Sequence, residues 1–352
     1  MKENTNKKDY LSASISWLRF PLIVLIVMLH CYSVQRLEGE HELYFKVVYP
    51  FALWMGETGV PAFFFISGFL FFLSKKCYTN KLRSRFHTLF IPYVLWNLFL
   101  LILYVVAYVL GYPQDINGKN ITAYSVIDYL RLFWDRGSYD NGNFVPLLCP
   151  LWYIRNLIII SIISPLIYYI IRYIREVFLI IVAIWWMTTP HNAFISQTVL
   201  FFSLGAFFSI LEINPLEVIY KKKRLTLTLF VIFAIGDILS HIYIGTPVNL
   251  QIHRLSLLFN IPALLLLGDW CVRHGYTSSF LQNAAFIVFC THYPIVVVLR
   301  KFCIAQYYGV SDIVHILLYF ACVVISTVLS LSFYQVLNIY FPKVKNILSG
   351  NR

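Results

Sequence analysis

Two polar residues in one apolar segment of this chain have the types and the spacing for chemistry. Arg19 and His30 both fall within residues 15–34, eleven positions apart, which is about 16 Å and close to three turns of an α-helix. Both side chains therefore point in nearly the same direction. A guanidinium presents a fork of donors to phosphate oxygens, and a neutral imidazole can act as a general base near neutral pH. Structural roles fit each residue equally well, since an arginine near a helix end extends toward water and a histidine can bond a backbone carbonyl.

Other ionisable residues interrupt later apolar segments, where insertion of a charge costs roughly 2.5 to 3.5 kcal/mol and therefore favours a function. Asp237 and His241 are four residues apart, a spacing that can orient an imidazole for proton transfer or form a structural hydrogen bond. His292 lies near the middle of another segment, and Arg155 begins one at its boundary. These four residues are further candidates for a site.

A basic cluster at residues 75–87 admits two interpretations. Its cations suit attraction to anionic membrane lipids, and its arginines suit the phosphates of a cytosolic cofactor. Arg85 is the member nearest the following apolar segment, with Arg83 two residues before it.

The composition identifies the elements that must position these residues. The 352 residues are 59% apolar and 12% charged, with a mean hydropathy of +0.72, which excludes an ordinary water-soluble globule. The net charge of +12 falls in short clusters between apolar runs, so it indicates cytoplasmic loops rather than a nucleic-acid partner. Seven scattered cysteines without a CxxC pair give no sign of a metal.

We predict an all-α, polytopic membrane protein with about ten transmembrane helices, because a span needs about 20 apolar residues. With the N-terminus inside, 18 of the 28 Lys and Arg residues fall in inner segments, which predicts that both termini are cytoplasmic. We expect cytoplasmic tails at 1–14 and 342–352, and the longest outer loop at 112–151. The predicted spans are 15–34, 57–74, 89–111, 152–171, 177–190, 194–211, 225–243, 252–269, 283–300 and 313–341.

Six motifs, in order along the chain, resemble those of the acyltransferase family 3 proteins, bacterial membrane O-acyltransferases that modify cell-surface glycans. They are Ile15-Ser16-Trp17-Leu18-Arg19 continuing to His30, the run from Gly59 to Ser67-Gly68-Phe69, Arg83-Ser84-Arg85 leading to Pro92-Tyr93, Pro150-Leu151-Trp152-Tyr153-Ile154-Arg155, Phe202-Ser203-Leu204-Gly205-Ala206, and His292-Tyr293-Pro294. Ser16 stands where many members have Asp, and Asn156 stands where a common variant has Asp, which puts a charge relay through those acids in doubt but leaves the Arg19 and His30 pair intact.

The resemblance implies a single transmembrane acyltransferase domain over 1–352 in the bacterial inner membrane. It also implies transfer of an acyl group from cytosolic acyl-CoA, expected to be acetyl-CoA rather than succinyl-CoA, to a hydroxyl of a surface polysaccharide or lipid-linked glycan. His30 and Arg19 would be catalytic, with His30 a general base or the carrier of a transient acyl group. The CoA phosphates would bind Arg19, Arg85 and Arg83. The candidate substrate-binding residues are Ser67, Trp152, Arg155, Asp237, His241 and His292.

A transporter of glycan or lipid intermediates is the competing hypothesis, because ten spans with ionisable residues inside the membrane also suit transport. The two halves show no obvious inverted similarity, which disfavours it. The oligomeric state is not indicated by the sequence.

Overall fold

The computed structural model of the chain describes residues 2–32, 42–112, 115–116, 118–137, 144–189, 194–243, 246–304 and 311–351, with only the backbone for 2–9, 241 and 302–304. The described residues are almost entirely helical, with one isolated β-bridge between Ile116 and Lys119. The α-helices are α1 Lys2–Cys31, α2 Glu42–Tyr49, α3 Gly59–Leu73, α4 Tyr78–Arg85, α5 Ile91–Val109, α6 Val126–Arg131, α7 Trp152–Ile162, α8 Ser164–Ile174, α9 Glu176–Thr188, α10 Phe194–Ile210, α11 Pro215–Lys221, α12 Lys223–Leu239, α13 Pro247–Arg273, α14 Ser279–Val298, α15 Asp312–Tyr340 and α16 Pro342–Ser349.

All ten predicted spans fall on helices, and the all-α polytopic prediction is confirmed. Within the described ranges, six helices are long and apolar enough to cross a membrane, or eight if each of two bent pairs is one span. The other two predicted spans correspond to α9 and α12, of 13 and 17 residues, which fall short of the roughly 20 residues that a span needs. Continuous helices follow from apolar composition because backbone groups in lipid must be satisfied internally.

Two proline-containing junctions explain the bent pairs. α7 and α8 meet at 65° where Pro165 follows the first residue of α8, and α10 and α11 meet at 93° where Pro215 begins α11. Proline lacks the backbone N–H and is favoured in the first turn of a helix, where that donor would have no partner within the helix. The Asn214 side chain accepts a hydrogen bond from the Leu216 N–H at 3.0 Å, which caps the new helix.

Three regions differ from the sequence-based prediction, namely the two predicted tails and the start of the second span. The predicted tail at 1–14 is helical from Lys2, so that α1 extends well before residue 15. The second span begins earlier than residue 57, because α2 continues through a π-helical turn (Pro50–Met55) and a 3₁₀ turn (Gly56–Thr58) into α3. The predicted tail at 342–352 contains α16, whose Leu348 carbonyl accepts a hydrogen bond from Trp96 Nε1 at 3.0 Å.

Close packing of α3 on α10 explains two of the motif glycines. A Cβ at Gly68 would overlap the carbonyl oxygen of Phe202, and a Cβ at Gly205 would overlap that of Phe65. Small residues at such a crossing allow two backbones to approach each other within the membrane. α1 packs against α3, α13 and α14, and these are the helices that carry most of the candidate site.

Candidate active site

Arg19 and Arg85 line the same cavity, as the phosphate-binding prediction requires. This arginine cavity has a volume of about 210 Å³. Residues of α1, α3, α7 and α14 line it, together with Arg85 at the end of α4. Ser67 lies in it, and its Oγ is 3.0 Å from the hydroxyl of Tyr153. Arg83 is exposed and lies outside this lining.

His30 lines a second cavity of about 450 Å³, the histidine cavity. Trp152 also lines it, with its ring stacked on Phe194 at a centroid separation of 3.7 Å and an interplanar angle of 7°. A large aromatic surface beside an imidazole suits binding of an extended organic ligand. The structure therefore brings His30 and Trp152 together as candidates for one site.

Phe289 of α14 lines both cavities. Its ring centroid lies 6.0 Å from that of Tyr153, which lines the arginine cavity, and 6.1 Å from that of His292. α1 thus presents Arg19 to one cavity and His30 to the other, with Phe289 as a shared wall. Arg19 and His30, which the helical repeat predicts to point in nearly the same direction, thus line two different cavities.

His292 lies beside His30. Their ring centroids are 5.3 Å apart, and His292 is fully buried with its Nδ1 3.1 Å from the carbonyl oxygen of Val288. Tyr293 approaches the His30 ring edge-on at 5.1 Å. His292 therefore supports the His30 ring rather than lining either cavity.

Two arginines that the sequence analysis did not select lie near His30. Arg300 Nη1 donates to the His30 carbonyl oxygen at 3.4 Å. Arg136, from the loop after α6, hydrogen-bonds Tyr293. Both cations add positive potential at the His30 end of α1, and both lie outside the lining of the histidine cavity.

Arg155 holds the long loop instead of facing a cavity. Its guanidinium donates to the carbonyl oxygens of Trp134 at 2.6 Å and Phe144 at 2.8 Å, and it lies over the Trp134 ring at 4.9 Å. The residue is buried and lies outside the linings of both cavities. A guanidinium whose donors are used on backbone carbonyls acts as a positioning group for this loop.

Asp237 orients a histidine of a neighbouring helix, His253 of α13. The Asp237 carboxylate is 2.8 Å from His253 Nδ1, and the other ring nitrogen, Nε2, is 3.0 Å from Glu57. The side chain of His241 is outside the described part of the chain. α12 ends at Leu239 and a 3₁₀ turn follows, so the helical spacing on which the predicted pair depends does not continue to residue 241.

Glu57 and His253 were missed by the sequence analysis, and both line the histidine cavity. Each belongs to a separate segment, so no short motif connects them. The available signal was Asp237 itself, a carboxylate within an apolar helix, which requires a partner on some neighbouring element.

Comparison with known proteins agrees with the motifs. A family model described as an acyltransferase domain matches residues 12–335. The succinoglycan biosynthesis protein ExoH of Rhizobium meliloti (strain 1021) is 24% identical over 321 residues, which cover 85% of this chain and 82% of that protein. No solved structure matches the chain. The resemblance is confirmed, the transporter hypothesis is disfavoured, and the chain belongs to the acyltransferase family 3 as a multispanning membrane O-acyltransferase.

Proposed function

We propose that this protein transfers an acetyl group from cytosolic acetyl-CoA to a hydroxyl of a cell-surface or lipid-linked glycan, across the bacterial inner membrane. The single observation that carries the proposal is that α1 presents Arg19 to one cavity and His30 to another, with Phe289 between them. A donor with a long flexible arm can bind through its phosphates at one end and react at the other. The name of the relative, a succinoglycan biosynthesis protein, supports a glycan acceptor.

The arginine cavity fits part of CoA. Its volume of about 210 Å³ is below the range of roughly 300 to 1,000 Å³ that encloses a drug-sized ligand. The phosphates would therefore bind Arg19 and Arg85 at its mouth, the nucleotide would remain outside, and the pantetheine arm would carry the thioester past Phe289 toward His30. Arg83, which is exposed, would contribute long-range attraction only.

His30 would act as the general base. The acceptor hydroxyl loses its proton to the imidazole while its oxygen attacks the thioester carbonyl, and the resulting oxyanion lies in the positive field of Arg136 and Arg300. The carbon–sulfur bond then breaks, the proton passes from the imidazolium to the leaving thiolate, and the products are the glycan ester and free CoA. In an acyl-histidine route, the imidazole of His30 would attack the thioester, the carbon–sulfur bond would break and CoA would leave as the thiol, and the acetyl group would then pass from His30 to the acceptor hydroxyl.

The test measures acetyl transfer by purified protein in lipid nanodiscs. The acceptor is total glycan, both lipid-linked and exported, extracted from a strain that lacks the gene, and the donor is acetyl-CoA with a radiolabelled acetyl group. His30→Gln is expected to abolish labelling of the glycan. His315→Gln is the matched control, because His315 is a buried histidine in α15 that lies outside the linings of both cavities.

The expected result is loss of transfer at His30 with normal transfer at His315, and no label bound to wild-type protein before acceptor is added. Acid-labile label on wild-type protein that is absent from His30→Gln would support the acyl-histidine route instead. Full transfer by His30→Gln would contradict the proposal.

A further inference from the structure

Besides His30, the carboxylate of Glu57 lines the histidine cavity, and its charge is opposite to that of the arginines near His30. His253 of α13 lies between two carboxylates, with Nδ1 2.8 Å from Asp237 and Nε2 3.0 Å from Glu57. A ring whose two nitrogens both face carboxylate oxygens donates both hydrogen bonds only when it is doubly protonated. The three residues therefore form a chain of alternating charge, which we call the Glu57–His253–Asp237 network.

The two ends of this network have different surroundings. The Asp237 side chain has no exposure, and its carboxylate also accepts hydrogen bonds from the Tyr49 hydroxyl at 2.9 Å and from Ser256 Oγ at 2.7 Å. The Glu57 side chain is 25% exposed and lines the histidine cavity. Asp237 is thus the enclosed end of the network, and Glu57 is the end that faces the histidine cavity.

Stability alone does not account for such a network. Desolvation of buried ion pairs often cancels their attraction, so that apolar replacements are commonly neutral or stabilising. The structure also interrupts a long helix at this point, since Glu57 lies in the 3₁₀ turn between the π-helical turn and α3. Departures from α-helical geometry inside helices are frequent at functional sites.

The remaining lining of the histidine cavity suits a saccharide. Trp152, Trp186 and Gln197 line it together with Glu57, His30 and Arg254, whose guanidinium donates to the carbonyl oxygens of Met187 and Thr189 at 2.8 Å each. Aromatic faces offer apolar area for the C–H face of a sugar ring, and a carboxylate accepts hydrogen bonds from two neighbouring hydroxyls at once. A charged acceptor of this kind shortens and strengthens those hydrogen bonds.

We propose that Glu57 binds the hydroxyl groups of the acceptor saccharide in the histidine cavity, and that His253 and Asp237 are positioning residues that hold its carboxylate toward His30. This inference rests on the proposed function, because it concerns the acceptor of the same transfer reaction. It assigns acceptor recognition to the Glu57 side of the cavity and donor recognition to the arginine cavity.

The experiment compares acceptor and donor kinetics in nanodiscs, with the extracted glycan as acceptor and acetyl-CoA as donor. Glu57→Gln is expected to raise the KM for glycan by roughly ten- to a hundredfold, the scale of one hydrogen bond to a charged group, and to leave the KM for acetyl-CoA unchanged. His253→Gln should raise the same KM, and adding it to Glu57→Gln should cause no further increase, because His253 acts through Glu57.

Asp269→Asn is the matched control. Asp269 is a buried carboxylate in α13 that binds Tyr220 and Arg273, and it lies outside the linings of both cavities. It should leave the KM for glycan at the wild-type value. Glu57→Asp keeps the charge on a shorter side chain and is expected to give a smaller increase than Glu57→Gln, which decides the matter if the glutamine variant does not fold.

The outcomes separate the two proposals. Unchanged glycan KM in folded Glu57→Gln, or in Glu57→Asp if only that variant folds, would overturn the role of Glu57 while leaving the transfer reaction intact. Equal increases in the KM for glycan and for acetyl-CoA would indicate general damage and would also overturn it. Wild-type protein that transfers no acetyl group would contradict the proposed function itself.

Discussion

Replacing Arg85 by alanine is expected to weaken acetyl-CoA binding, whereas the same change at Arg83 is expected to have little effect. Arg85 lines the arginine cavity, and its guanidinium lies 5.5 Å from the ring centroid of Phe71. Arg83 precedes it by two residues in α4 but is exposed and outside the lining. The pair therefore separates direct phosphate binding from the general attraction of a basic cluster.

The expected size follows from the contact that is lost. A hydrogen bond to a charged group contributes about 1.5 to 3 kcal/mol, and each 1.4 kcal/mol changes Kd about tenfold. Arg85→Ala should then raise the Kd of acetyl-CoA by about ten- to a hundredfold. An exposed charge interacting through water contributes about 1 kcal/mol or less, so that Arg83→Ala should raise Kd by less than about fivefold.

Isothermal titration of acetyl-CoA into protein in nanodiscs measures both values. Arg85→Lys should be intermediate, because lysine keeps the charge but loses the planar fork of donors. Equal losses at residues 83 and 85 would show that the cluster acts only through its total charge. An unchanged Kd in Arg85→Ala would refute the docking of phosphates in the arginine cavity.

Three further changes test other parts of the structure. Phe289→Trp places a larger side chain between the two cavities and should slow acetyl transfer by about a hundredfold without changing the Kd of acetyl-CoA. Single-turnover kinetics measure the transfer rate, and a wild-type rate in this variant would contradict the role of Phe289 as the wall past which the acetyl group moves. Gly205→Ala should lower the free energy of unfolding by about 1 to 3 kcal/mol, because a Cβ there overlaps the Phe65 carbonyl. Gly236→Ala, whose Cβ has its nearest neighbour at 3.4 Å inside α12, should leave the free energy of unfolding unchanged or raise it by up to about 1 kcal/mol. The pKa of Asp128 is lowered to about 2 because its carboxylate accepts hydrogen bonds from the Ser125 N–H and from Lys119. The stabilisation that the ionised Asp128 gives to α6 is therefore fully present above about pH 4 and is lost as the pH falls through about 2. Amide hydrogen exchange in α6 should speed up over this pH range in the wild-type protein and should not show this pH-dependent change in Asp128→Asn.

Much of the fold could be predicted from the sequence because lipid leaves an apolar backbone few alternatives to the helix. The ten apolar segments all fall on helices for this reason. The sequence did not predict the bends at Pro165 and Pro215 or the start of the second span before residue 57. An apolar run does not show where a helix bends, or how the backbone hydrogen bonds of its interrupted turns are satisfied.

From helical spacing alone, the site was predictable only where one helix carries it. Arg85 was named from the basic cluster, and Ser67 and Trp152 were named from the family motifs. Arg19 and His30 share α1, so that the helical repeat alone placed them on one face. Glu57, Asp237 and His253 come from three elements, and only the packing of α12 on α13 brings the aspartate to its histidine. Arg155 is the opposite case. In the sequence, an arginine at the start of an apolar helix resembles a ligand-binding residue, whereas in the structure it binds backbone carbonyls of the long loop.

A cryo-EM map with a non-hydrolysable acetyl-CoA analogue tests the central claim most directly. The claim is that the cavities on either side of Phe289 are two parts of one transfer path along α1. It predicts phosphate density beside Arg19 and Arg85 and the acyl carbon beyond Phe289, next to His30. Phosphates bound elsewhere, or an acyl group that stays on the arginine side of Phe289, would contradict it.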